Sequence, residues 1–218
     1  MRLLQFLRLP AAFIAANWAG LLGVLCLGAV PAFAGNQKVM TDLDTHADDA
    51  GITVLEHIRR TWWRDLPLTL AFGAYVLLAI GTTALLALVF DAPARVFFAG
   101  LLVPVYWASG ALLGSYIRAA ALLPVTAARD EVTDTALALT IGHPLRALAT
   151  IMIVLATTPV WVLAPLTIAC GLSLPAWALN SLWTRPPRAQ RPAAEPAAQR
   201  GQRLVVLRHE PVASADRR

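Results

Sequence analysis

LPLTLAFGAYVLLAIGTTALLALVF (Leu66–Phe90) is a run of 25 residues with no ionisable side chain other than Tyr75. As a helix it would reach about 37 Å, enough to cross a hydrocarbon core of roughly 30 Å. The short connection Asp91 to Arg95 leads into a second such run, Val96 to Ile117. Two long helices joined so tightly must form an antiparallel hairpin.

Working outward, an earlier apolar block runs from Pro10 to about Ala34, interrupted by Asn17 and Pro31. A later one, Ala147 to Trp183, carries no charge. At 1.5 Å per residue this last block is slightly short of two crossings. Pro159 and Pro165 flank Trp161 within it, which suits a turn at the membrane surface. The expected architecture is an all-α bundle of about five spans, near 10–35, 66–90, 96–117, 144–162 and 164–183. These make one transmembrane helical domain, 1–183, followed by a tail, 184–218.

Composition agrees with this class. The apolar share is 58%, above the roughly 45–50% of soluble domains. Charged residues make up 14%, against about 25% in such domains. The net charge of +5 resides in the tail, where eight arginines face Glu195, Glu210 and Asp216. This arginine- and proline-rich tail has almost nothing to bury, so disorder and attraction to anionic lipid are expected, and nucleic-acid binding is not. Cys26 and Cys170 both lie in apolar runs, which indicates neither a disulfide framework nor a metal site.

Basic residues also orient the chain. With five spans and an outside N-terminus, Lys38, Arg59, Arg60, Arg64, Arg118, Arg129 and Arg146 lie inside with the tail. Only Arg2, Arg8 and Arg95 lie outside. The positive-inside tendency prefers this over four spans, and it predicts cytoplasmic segments 36–65 and 118–146 in an inner membrane. A cleaved signal peptide competes for residues 1–34, because Ala32-Phe33-Ala34 before Gly35 resembles a cleavage site. Cleavage would put Arg59 and Arg60 outside, so a retained first helix is the reading taken.

Within segment 36–65, Ile52, Leu55, Ile58 and Trp62 share one helical face, with Arg59 and Trp63 beside them. That pattern predicts a short interfacial amphipathic helix on the cytoplasmic side. Gly110 and Gly114 form a GxxxG, which lets helices approach closely. Packing within the chain is its expected use, and dimerisation is the alternative.

Chemistry is sparse. The acidic stretch Asp42 to Asp49 lacks the glycine and glutamate that a calcium loop needs at its sixth and twelfth positions, having Ala47 and Thr53 there. His57 and His143 stand beside membrane entrances without an identifiable carboxylate or cysteine partner. Ser109 and Ser115 lie on a membrane helix with no histidine nearby in sequence. No acid, base and nucleophile converge, so no catalytic residue, cofactor or metal is assigned. Asn17, Tyr75, Thr82, Thr83, Tyr106, Thr157 and Thr158 could line a polar route. Hydroxyls bonded back to their own helices are the simpler reading.

The order of these features resembles the YesL-like family of bacterial integral membrane proteins. The likeness rests on Asn17-Trp18, Pro31-Ala32, the hydrophobic positions Leu55, Ile58 and Trp62, and the hairpin around Asp91. The segment Ala136 to Arg146 is the closest match. Together these cover about residues 10 to 183. The resemblance implies an accessory role near carbohydrate transport and supplies no catalytic residues. The expected partners are the lipid bilayer together with transporter subunits or a second copy of the chain. A small permease for an uncharged solute is the alternative.

Overall fold

The computed structural model describes residues 2–184, with side chains from residue 7 onward. The expectations for the tail therefore lie outside the described residues. All regular structure among them is helical: α1 (Arg2–Leu25), α2 (Ala29–Thr41), α3 (Ala50–Val89), α4 (Ala92–Leu122), α5 (Arg129–Gly142), α6 (Pro144–Val162), α7 (Ala164–Cys170) and α8 (Ser173–Thr184). Parts of α1, α3, α4 and α6 are long and apolar enough to cross a membrane. The pair α7 and α8, bent by 57° at its break, makes a fifth if taken as one broken span. The protein is an all-α, multi-pass membrane protein.

The expected first span, 10–35, is two helices. After Leu25 the chain turns at Leu27, the one non-glycine residue with positive φ among those described, at 62°. Leu27 N–H donates to Val24 O at 3.0 Å and Gly28 N–H to Gly23 O at 2.8 Å. These are the paired bonds of a Schellman ending, in which glycine usually takes the left-handed position. Here the glycine stands one place later, because a Cβ on Gly28 would meet Trp62 Cζ3 at 2.6 Å. Pro31 then falls in the first turn of α2, where its missing N–H costs nothing.

α2 is the central strut, packed against α1, α3 and α4. Ala32, Ala34, Asn36, Gln37 and Val39 are buried along it. The polar segment expected to begin at Asn36 therefore starts inside the protein. Small residues set the spacing, since a Cβ on Gly23 would meet Ile58 Cδ1 of α3 at 2.5 Å.

The expected interfacial helix is also revised. Residues 50–65 are the first part of α3, continuous for 40 residues, about 60 Å at helical rise. Its buried face carries Val54, His57, Ile58, Thr61 and Asp65. Ile52, Leu55 and Trp63 are exposed, at 69%, 45% and 79%, Arg59 is exposed, and Trp62 is half-buried. The buried face thus sits about a quarter turn from the face that hydrophobicity alone selects.

Past Pro67, α3 and α4 form the expected hairpin. Asp91 caps α4 by accepting from Ala94 N–H at 3.2 Å. Arg95 reaches back to the carbonyls of Leu86, Ala87 and Phe90, closing the end of α3. Each helix end is satisfied by a side chain of the five-residue connection, which is why it can be so short. The turn expected near Pro159 and Pro165 falls at Leu163, between α6 and α7.

Candidate functional site

Polar side chains are expensive inside a bundle facing lipid, so where they point is informative. Asn17 of α1 is fully buried. Its Nδ2 donates to Thr167 O at 3.0 Å and Ile168 O at 2.8 Å, and its Oδ1 accepts from Leu172 N–H at 2.7 Å. One carboxamide thereby satisfies the backbone where α7 breaks from α8. Ser173, at the head of α8, donates to Phe13 O at 2.9 Å and lies 3.2 Å from Asn36 Oδ1. Asn36 in turn donates to Ala32 O. This seam joins α1, α2, α7 and α8.

A second cluster stands where α3 meets α4 and α5. Asp65 is fully buried and pairs with Arg64, Nε to Oδ1 at 2.8 Å. Tyr116 of α4 donates to the same oxygen at 2.9 Å. Pro67 cannot donate to Trp63 O, the bond its position would otherwise make. Arg129 of α5 supplies the replacement, donating Nε to Arg64 O at 2.8 Å and Nη2 to Trp63 O at 3.3 Å. Arg118, also buried, donates to Thr41 Oγ1 and Asn180 Oδ1, each at 3.3 Å. It ties α4 to the ends of α2 and α8.

Between α2, α3, α4, α6 and α8 lies a cavity of about 120 Å³. Phe33, Phe72, Leu113, Ile117, Ile151 and Val154 give it apolar walls, and Gly110 and Gly114 form part of its lining. A Cβ on Gly114 would meet Thr150 Cγ2 at 2.6 Å, and one on Gly110 would meet Ile151 Cδ1 at 3.2 Å. The GxxxG face therefore receives α6 of the same chain. Gln37 also lines the cavity. It is only 2% exposed, and its Oε1 has no hydrogen-bond partner among the described residues.

The remaining singled-out residues scatter. Among the described residues, buried His57 has no partner for either ring nitrogen, and Ser115 Oγ likewise has none. His143 stacks on Trp183 with ring centroids 6.2 Å apart. In the acidic loop, Arg8 grips Asp48 with two bonds of 2.7 Å, and His46 approaches Asp49. Tyr75 donates to Tyr106 O at 3.0 Å and Thr82 meets Tyr106 Oη at 2.9 Å, bracing the hairpin. Thr83, Thr157 and Thr158 donate to carbonyls of their own helices.

Sequence reading did not single out Gln37, Asp65, Tyr116 or Arg118. One signal was available for Gln37. Pro31 read as a first-turn proline starts a helix that runs on past residue 37 and removes it from the polar segment. No family model, characterised protein or solved structure matches the chain.

Proposed function

We propose that this protein is a non-enzymatic accessory or scaffold protein of the inner membrane, serving a solute-uptake system. The observation that supports it is the destination of the buried polar groups. Asn17, Asn36, Asp65, Arg118 and Ser173 are spent on other helices of the same chain, which gives a rigid platform. The resemblance to the YesL-like family points the reading toward carbohydrate uptake. The positive-inside tendency adds a cytoplasmic C-terminus. The count that set Arg8 outside is given up, because Arg8 is bonded to Asp48 and the start of α1 therefore lies on the same side as segment 36–65. A reporter placed after Arg129 should then read cytoplasm, and one between Asp91 and Arg95 the outside.

Docking is assigned to the outward side of early α3, where Ile52, Leu55 and Trp63 stand exposed. Ile58 and Trp62 pack inward against Gly23 and Gly28, so they are unsuitable probes of docking. Affinity purification of the full chain in mild detergent should recover transporter subunits or a second tagged copy. The double variant Ile52→Asp/Leu55→Asp should still insert and elute as one species, yet lose that partner. An unchanged partner would remove this face from the proposal. Solute flux into proteoliposomes containing the protein alone would favour the permease reading.

A further inference from the structure

Helices α1 and α2 return to the side from which they start. Arg8, near the start of α1, holds Asp48 through two bonds of 2.7 Å, and Asp48 lies in the loop that follows Thr41, the last residue of α2. Thr41 in turn accepts from Arg118 near the end of α4, which also reaches Asn180 near the end of α8. Arg146, at the start of α6, donates to Trp183 O at 3.2 Å. The start of α1, the start of α6 and the ends of α2, α4 and α8 thus share one side. The return arm, α2, has only 13 residues, about 20 Å at helical rise against a hydrocarbon core of roughly 30 Å.

The far end of this helix pair is built unlike a turn in water. Between Asn17 and Asn36 no side chain carries a charge, a hydroxyl or an amide. At the turn, Leu25 and Leu27 are 80% and 67% exposed and Cys26 is exposed. Leu7, Ile14, Trp18 and Leu22 are exposed along α1, and their spacing puts them with Leu25 on one helical face. The α3–α4 connection, by contrast, carries Asp91 and Arg95. The depth of the tip follows from its neighbours on α3. A Cβ on Gly23 would meet Ile58, and one on Gly28 would meet Trp62, while Arg59 and Arg60 beside them are exposed. Those guanidinium groups have to reach phosphate or water, so the tip lies in the leaflet that they border.

We infer that α1 and α2 form a re-entrant hairpin docked in one leaflet of the bilayer, with the Leu7–Leu25 stripe and the Leu25–Leu27 tip packed on lipid acyl chains. α1 then does not cross, and the crossings are α3, α4, α6 and the α7–α8 pair. The charges agree. Arg2 and Arg8 join the basic residues assigned to the cytoplasm, and among those of residues 1–183 Arg95 alone stays outside. This placement does not depend on the accessory role.

The test uses the full chain and its own tip cysteine. Cys170→Ser leaves Cys26 as the one cysteine, which is labelled with an uncharged fluorescent maleimide and reconstituted in phosphatidylcholine–phosphatidylglycerol liposomes. Lipids brominated on their acyl chains should quench the dye, and aqueous iodide should not. In cells, epitope tags at the N-terminus and after Asp44 should both become accessible only once the inner membrane is opened. Quenching by iodide without quenching by brominated lipid puts the tip in water and overturns the docking. Labelling of Cys26 by a charged maleimide added outside sealed cells shows that the tip emerges on the far side, and overturns it too. Tags on opposite sides of the membrane overturn the return of the hairpin. If Cys170→Ser does not fold, the two tags in the otherwise native chain decide: one shared side supports the hairpin, because α2 is too short to cross, and opposite sides overturn it.

Discussion

The glycines divide this protein into two regions. In the bundle of α1, α2 and early α3, a Cβ added at Gly20, Gly23, Gly28 or Gly51 meets a neighbour at once. In the hairpin made by late α3 and early α4, Gly73, Gly81 and Gly100 have nothing within 4 Å. The bundle buries alanines and amides, whereas the hairpin turns Leu70, Leu77, Leu85, Leu88, Phe97 and Leu101 outward. The two regions are held by different forces. Lipid tails are as apolar as leucine, so the hairpin gains nothing from turning its leucines inward and meets bilayer on most sides. The bundle coheres through close backbone approach and hydrogen bonds between helices.

Substitutions should therefore be felt unequally. The largest effect is expected at Asp65→Ala, which leaves the half-buried Arg64 guanidinium and the Tyr116 hydroxyl without their shared carboxylate. Removing one member of a buried pair costs about 3–5 kcal/mol, and the variant should lose monodispersity on size exclusion well below the wild-type melting temperature. Asn17→Ala should cost about 2 kcal/mol, because Leu172 N–H and Ile168 O lose their partner and Thr167 O keeps only Gly171 N–H. Its signature would be faster hydrogen exchange confined to α7 and the start of α8. Gly20→Ala forces a methyl against the Asn36 carboxamide and places it 2.8 Å from Leu172 Cδ1, for about 1–3 kcal/mol. Gly81→Ala has open space and should be neutral or stabilise by up to about 1 kcal/mol. Thermal unfolding of both glycine variants in one detergent checks the contrast. Equal destabilisation at the two sites would mean that the hairpin packs as tightly as the bundle.

The same division explains what could be read from the chain without coordinates. The hairpin was legible because hydropathy reports lipid exposure, and the Asp91 to Arg95 connection is too short for any other geometry. The break after Leu25 was hidden. Cys26 and Leu27 are as apolar as a span requires, and the left-handed residue is a leucine rather than the glycine beside it. The inward face of early α3 was hidden too, because it is lined by His57, Thr61 and Asp65 as well as Val54 and Ile58. A hydrophobic stripe selects the wrong side of such a helix. Gln37 was lost with them once residue 36 was read as the start of a polar segment. The pairing of Asp65 with Tyr116 joins positions 51 residues apart, and no local pattern announces it.

Arg129 has a mechanical meaning beyond its two hydrogen bonds. Proline leaves a gap in the ladder of a helix, and the gap is where such a rod is softest. In α3 that gap is bridged by a side chain belonging to α5. The bending stiffness of the longest helix is thus on loan from a neighbour outside it. Whatever draws α5 aside turns one rod into two that are jointed at Pro67, while α5 in place makes them move as one.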